Sequence, residues 1–214
     1  MDKLNVSYFN CNTKENGQEI SARLDNLERH VIGKMLWPES TYKPRVWFSI
    51  AYSDDSILLK YFVQENAIRI SNYIDNSPVH MDSCVEFFIS FNGEKEYYNL
   101  EFNCIGTCFF AFGNSKSVRQ SIPNEQTCKI KRKAVIESCV DKGITIFNWE
   151  LTLVIPFEVF IHHKITSLKG IDCKGNFYKC GDALPKPHFL SWQGIEADSP
   201  NFHLPEFFGS MQFE

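Results

Sequence analysis

The sequence predicts an all-β fold: a β-sandwich of antiparallel sheets, immunoglobulin-like or jelly-roll-like, with one or two short helices. Three observations predict it. Short runs of alternating apolar and polar residues recur along most of the 214 residues, turn-forming residues separate these runs, and helical periodicity is confined to short stretches. Many short strands at close spacing are typical of sandwiches. Sandwiches of about 200 residues are common as single units, so residues 1–214 are expected to form one domain, with a helix and lead-in over 1–43.

The elements are predicted in chain order from spacing. Ile20, Leu24, Leu27 and Val31 recur at helical spacing, and Gly33 follows as a stop. Pro156 begins a short helical turn, because proline suits the first position of a helix. The predicted strands, bounded by turn residues, are 45–52, 57–64, 67–73, 82–91, 97–112, 129–139, 144–155, 176–180, 188–193 and 207–213.

The central hairpin is the most informative segment. Asn92-Gly93 separates two alternating runs, and this dipeptide tolerates the positive φ of a tight turn. One face of the hairpin is apolar. The other face carries carboxylates and amides among aromatic residues, namely Asp82, Glu86, Asn99, Glu101 and Asn103. This polar face suits a polyhydroxylated ligand, and the alternative is an ordinary solvated sheet face.

Composition excludes several classes of partner. The formal charge of −4 and pI near 5.9 disfavour nucleic-acid binding. No run approaches the roughly 18 apolar residues of a membrane helix. The N-terminus lacks an apolar signal core, which predicts a cytoplasmic protein, or a secreted or periplasmic one if the natural chain begins earlier.

The eight cysteines lack C-x-x-C spacing, which favours reduced thiols over disulfides or a zinc site, and Cys104 and Cys108 are expected on one face of one strand.

Carboxylates on one sheet face also allow catalysis. Glu86 paired with Asp82 or Glu101 has the composition of a glycoside hydrolase acid/base pair. Asp82 also suits a turn cap or a structural calcium ion. Trp192, beside a loop rich in proline and glycine, is either a tryptophan that stacks on a sugar ring or a core residue.

Several segments together resemble family 9 carbohydrate-binding modules. The resemblance covers Pro44 to the C-terminus, and the segments that carry it are 82–89, 98–106, 149–157, 176–179, 188–192 and 202–209. It implies a β-sandwich that grips the end of a glucan or xylan chain between two aromatic rings, with no cofactor required and with calcium only in a structural role.

The resemblance also implies site residues. By position, Trp192 would be one stacking ring, and Glu86 and Asn103 would bind hydroxyls together with Glu101. Asn176 and Lys179 would lie nearby. His80 stands where the family often has the second tryptophan.

The predicted function is a non-catalytic carbohydrate-binding domain that recognises a glycan or its chain end and is linked to polysaccharide breakdown. The alternatives are the hydrolase above and a haem-binding sandwich, with His80 or a methionine as axial ligand.

Overall fold

The computed structural model describes residues 3–11, 17–35, 37 and 40–214. Met1 and Asp2, part of the N-terminus considered above, lie outside the described residues, as do 12–16, 36 and 38–39 of the predicted lead-in. None of the helices in the described part has the length and apolar character needed to cross a membrane.

Strands are the main regular structure of the described chain, and two short helices accompany them. The strands are β1 (Leu4–Tyr8), β2 (His30–Val31), β3 (Lys34–Met35), β4 (Arg45–Tyr52), β5 (Ser56–Glu65), β6 (Cys84–Phe91), β7 (Tyr97–Asn103), β8 (Cys108–Gly113), β9 (Arg119–Ser121), β10 (Lys131–Asp141), β11 (Ile144–Pro156), β12 (Asp172–Cys180), β13 (Phe189–Ser191) and β14 (Gly209–Phe213). The α-helices are α1 (Gly17–Leu24) and α2 (Asn124–Thr127), and 3₁₀ turns cover Val79–Met81, Phe157–Val159 and Pro205–Phe207.

The strands form two sheets that β1 connects. One sheet has the order β10-β11-β5-β4, and the other has the order β14-β12-β6-β7-β8-β9. β1 pairs in parallel with both β4 and β14, while the other pairings within these two orders are antiparallel. Phe48 of β4 stacks on Phe177 of β12 with 3.7 Å between ring centroids, so the main core lies between the sheets. The predicted sandwich is confirmed.

The predicted central hairpin is confirmed as β6 and β7. Asn92 and Gly93 connect them with φ of 55° and 73°. Every residue of both strands is buried, on the polar face as well as the apolar one. A second apolar cluster, which includes Phe88, Tyr178, Phe202 and Phe208, covers part of that polar face. The alternative of a solvated sheet face is therefore wrong.

Two predicted elements differ from the structure. Residues 67–73, predicted as a strand, are irregular, and the backbone N–H groups of Ser71 and Asn72 bind the Asp82 carboxylate instead of a neighbouring strand. The N-terminal helix ends at Leu24, and Val31 lies in β2 with 57% of its surface exposed. In both cases the backbone has a distant partner that a local pattern does not show: the Asp82 carboxylate for Ser71 and Asn72, and Trp47 of β4 for Val31.

The predicted strand 97–112 is interrupted after Asn103. A turn follows, in which Gly106 has φ of 89° and Oδ1 of Asn103 accepts the N–H groups of Ile105 and Thr107. Cys104 therefore lies in the turn and Cys108 begins β8, so the prediction that both lie along one strand is wrong. All eight cysteines are free, as predicted, and six of them are buried.

Candidate functional site

A cleft opens over the polar face of β6 and β7, next to the loops that follow β8, β12 and β13. Its empty space, including the mouth, is about 480 Å³. The polar side chains that line it are His80, Glu86, Glu101, Lys116, Arg119, Cys180, Asp182 and Asn201, and the aromatic ones are Phe189, Phe202 and His203. A concave site with apolar rings and a few convergent polar groups is the usual form of a small-ligand site.

Two buried glutamates form the centre of this cleft. Glu86 and Glu101 are direct partners across β6 and β7, and each is 3% exposed. The Sγ–H of Cys180 donates to Oε1 of Glu86 at 3.1 Å. Burial raises the pKa of Glu86 well above its ordinary value, and the neighbouring Glu101 carboxyl raises it further. Burial also raises the pKa of Glu101, to about 7, although Arg119 opposes the shift.

A hydrogen-bond chain orients Glu101. Its Oε1 accepts from Asn99 at 2.9 Å and from Arg119 at 3.2 Å. The same Arg119 nitrogen lies 3.2 Å from Nε2 of His203, whose Nδ1 lies 2.9 Å from the Tyr97 hydroxyl. Burial and the nearby Arg119 lower the pKa of His203 to about 3, so the ring is neutral at pH 7 and accepts from the guanidinium.

The second oxygen of Glu101 differs from the first in its hydrogen bonding. Oε2 is buried and makes no hydrogen bond within the part of the chain that the structure describes. The nearest histidine nitrogen is Nδ1 of His80, at 3.8 Å, too far for a hydrogen bond. Burial lowers the pKa of His80, which keeps its half-buried ring neutral at pH 7. A buried carboxylate oxygen without a donor is costly, so a ligand hydroxyl placed here would gain a strong hydrogen bond.

Asp82 and Asn103 support the structure beside the cleft. The Asp82 carboxylate accepts five hydrogen bonds from nitrogen, from Arg69, Ser71, Asn72 (backbone and side chain) and Asn103, at 2.8–3.1 Å. These donors hold its pKa below the ordinary value although burial opposes them. Calcium needs oxygen ligands where these nitrogens stand. The surroundings of Asp82 therefore do not fit the calcium ion considered from the sequence, nor a free catalytic carboxylate.

Trp192 and Asn176 lie in the interior. Trp192 is 9% exposed and packs edge-on against Phe48 and Phe177, with centroid distances of 6.1 and 5.8 Å. The carboxamide of Asn176 binds the backbone of Gln193 and is fully buried. Of the two alternatives the sequence left open, the structure places Trp192 in the core, not at the stacking position that the family resemblance implies, because aromatic side chains of both sheets enclose it.

Lys179 lies between the sheets rather than in the cleft. Its Nζ contacts the Cys180 carbonyl at 2.8 Å, Nε2 of His188 at 2.9 Å and Oε2 of Glu65 at 3.0 Å, and all three side chains are fully buried. Oε1 of Glu65 accepts the indole N–H of Trp149 at 2.7 Å. Alternation along β12 explains this position: Phe177 and Lys179 face the core, while Tyr178 and Cys180 face the cleft side.

The buried His188 predicts a loss of stability in acid. Nε2 accepts from Lys179 and Nδ1 lies 3.0 Å from the Lys186 carbonyl, so the ring is neutral. Burial and Lys179 lower its pKa to about 3. Between the unfolded value of about 6.5 and about 3, the unfolded chain binds more protons, so the free energy of unfolding falls as pH falls. Urea unfolding at intervals from pH 7 to 4 checks this, and His188→Gln should reduce the slope. Equal slopes would contradict it.

Three of the seven predicted site residues line the cleft: His80, Glu86 and Glu101. The other four, Trp192, Asn103, Asn176 and Lys179, do not. Sequence reasoning missed Lys116, Arg119 and Asp182, which stand in or near loops and carry no local pattern. Phe189, Phe202 and His203 lie in the segments 188–192 and 202–209, which carry the family resemblance. Within these two segments, however, the resemblance assigned a site role only to Trp192.

Comparison with known proteins identifies the family. The model of carbohydrate-binding family 9 matches residues 17–213. No curated protein matches the chain in a sequence search.

Three solved structures are similar to this one. The crystal structure of a predicted carbohydrate-binding protein from Bacteroides uniformis is 38% identical over 99% of both chains, with a TM-score of 0.90. Family 9 modules from Caldicellulosiruptor kristjanssonii share the fold. The complex with glucose is 10% identical, with a TM-score of 0.60 over 100% of this chain and 96% of that one. The complex with cellotriose is 9% identical, with a TM-score of 0.57 over 100% and 94%.

Proposed function

The chain belongs to carbohydrate-binding family 9, and from this we propose that the cleft between β6, β7 and Arg119 binds the terminal sugar of a glycan without cleaving it. The observation that carries the proposal is the buried Oε2 of Glu101, which has no donor among the described residues and belongs to a cleft-lining side chain. A sugar hydroxyl supplies that donor.

The remaining lining fits a sugar ring. Arg119 and Lys116 present donors for ring and hydroxyl oxygens, while Phe189 and Phe202 offer apolar surface to the C–H groups of the ring. Phe202 is held in place because it stacks on Tyr178 at 4.2 Å. An open cleft with a buried polar centre suits one terminal residue, which supports recognition of a chain end. A place in polysaccharide breakdown is part of the same proposal and rests on the family resemblance alone. The family assignment favours carbohydrate over haem as the ligand.

Glucose and cellotriose are the first ligands to test, because family 9 modules of the same fold bind them. We expect calorimetry at pH 8, above the Glu101 pKa of about 7, to detect binding, and Glu101→Gln to weaken it by about 10- to 100-fold, because the charged acceptor of a hydrogen bond worth roughly 1.5–3 kcal/mol is lost. Glu158→Gln, which changes an exposed glutamate on the surface, is the matched control and should bind as the wild type does.

Two further measurements separate the finer parts of the proposal. Cellotriose reduced at its terminal aldehyde should bind more weakly if the reducing end is the part recognised, and equally well if the other end is.

Aryl glycosides should remain intact when they are incubated with the protein. Hydrolysis that Glu86→Gln abolishes in a folded variant would replace this proposal with the glycoside hydrolase, and unchanged affinity of Glu101→Gln would remove the cleft from sugar binding.

A further inference from the structure

Two thiols and a carboxylate meet beneath the cleft. Cys84 and Glu86 are alternate residues on the same face of β6, and Cys180 of β12 is the direct cross-strand partner of Cys84. One ligand atom from each, the two Sγ atoms and a Glu86 oxygen, lie within 4.8 Å of one another, and all three residues are buried. In the described part of the chain, no other three histidine, cysteine or acidic residues form such a group.

We propose that Cys84, Cys180 and Glu86 bind a thiophilic divalent cation of the Zn²⁺ type. The residue types fit, because thiolates and carboxylates are both established zinc ligands. Zinc bonds of about 2.3 Å to sulfur and about 2.0–2.2 Å to oxygen, at tetrahedral angles, place two sulfurs about 3.8 Å apart and a sulfur and an oxygen about 3.5 Å apart. The distance from Cys180 Sγ to Glu86 Oε1 is already 3.1 Å. The three ligand atoms lie within 4.8 Å of one another, and binding requires side-chain rotations that bring each pair to these separations.

The cleft provides access and a fourth position. Glu86 and Cys180 both line it, so an ion enters from the cleft and keeps one coordination position for water or a ligand oxygen. Binding releases the two thiol protons to solvent, because the thiolate is the form that coordinates. Two thiolates and one carboxylate carry three negative charges, against the two positive charges of the cation. Arg119 and Lys116 line the same cleft and compensate the remaining negative charge.

This proposal does not depend on sugar binding, since it rests on the three side chains alone. Spacing along the sequence indicates no metal site among the cysteines. Cys84 and Cys180 are far apart in sequence, and only the pairing of β6 with β12 brings them together.

Cobalt titration of the whole chain tests the proposal without any sugar. The reduced protein is freed of metal by a chelator and titrated with Co²⁺ in the absence of oxygen. We expect a thiolate-to-cobalt absorption band in the near ultraviolet that saturates at one equivalent, together with tetrahedral bands in the visible that Zn²⁺ removes. No band in the wild type would overturn the proposal.

Variants connect the signal to these residues. Cys84→Ser and Cys180→Ser should each lose the band, whereas Cys173→Ser, which changes a buried thiol on β12 outside the cluster, should keep it. Glu86→Gln leaves both thiols in place and should weaken cobalt binding by about 10-fold or more. Replacing a residue that only hydrogen-bonds to a metal ligand already lowers metal affinity by about that factor, and Glu86 is proposed as a direct ligand. It serves as the test if a serine variant does not fold. A band that persists in both serine variants, or unchanged affinity in Glu86→Gln, would place the metal elsewhere and overturn the assignment.

Discussion

Replacement of Lys179 by alanine is expected to lower the free energy of unfolding by about 3–5 kcal/mol. The ammonium group has three partners, and without it the Glu65 carboxylate stays fully buried with no cation beside it. Urea denaturation at pH 7 measures the loss. Lys129→Ala is the matched control: it removes an ion pair of 2.7 Å that lies at the surface, where such pairs contribute about 0–1 kcal/mol.

A double variant separates the buried charge from the packing. Lys179→Met with Glu65→Gln removes both charges and keeps most of the volume, so we expect it to regain a large part of the lost stability. If Lys179→Ala costs no more than Lys129→Ala, the ion pair does not have the role inferred here. Lys179→Met and Glu65→Gln are also measured singly. If the double variant loses as much free energy of unfolding as these two single variants lose together, the cost lies in packing and not in the unpaired charge.

Replacement of Trp192 by alanine is likewise expected to lower the free energy of unfolding by about 3–5 kcal/mol, the usual cost of removing a large core side chain. Trp192 packs between Phe48 of one sheet and Phe177 of the other, so its removal leaves a cavity where the sheets meet. Thermal and urea unfolding measure the effect. Trp192→Phe keeps a ring in the core and should cost less.

Binding measurements complete this test. Trp192 does not line the cleft, so the folded Trp192→Ala protein at low temperature should bind cellotriose nearly as the wild type does. If Trp192 were the stacking ring that the family resemblance implies, Trp192→Ala would instead weaken binding while the thermal midpoint barely moved. That outcome would show that the indole reaches the ligand.

Much of the fold could be predicted from local patterns. The β6–β7 hairpin follows from two alternating runs around Asn92-Gly93, which place Glu86 and Glu101 on one face; the structure adds that the two are direct cross-strand partners. Both glutamates could thus be assigned to one site from the sequence alone. Residues 67–73 were mispredicted because their backbone donors bind the Asp82 carboxylate, a partner that strand propensity cannot indicate.

The rest of the site depends on distant segments. Arg119 reaches Glu101 through the pairing of β7 with β8 and of β8 with β9, and Cys180 reaches Glu86 through the pairing of β12 with β6. No spacing within either segment indicates these contacts, because the pattern of a strand does not show which distant strand it pairs with.

By itself, the sequence determined the sandwich, the central hairpin and which residues of each strand share a face, because side-chain direction in a strand has a period of two. Only the tertiary structure decided what covers each face. β6 and β7 are buried on both sides, so polarity did not separate interior from surface. Loops and the apolar cluster around Phe202 turn the polar face into a cleft. Lys179 and Trp192 lie in the core because partners from the opposite sheet, Glu65 and Phe48, meet them there.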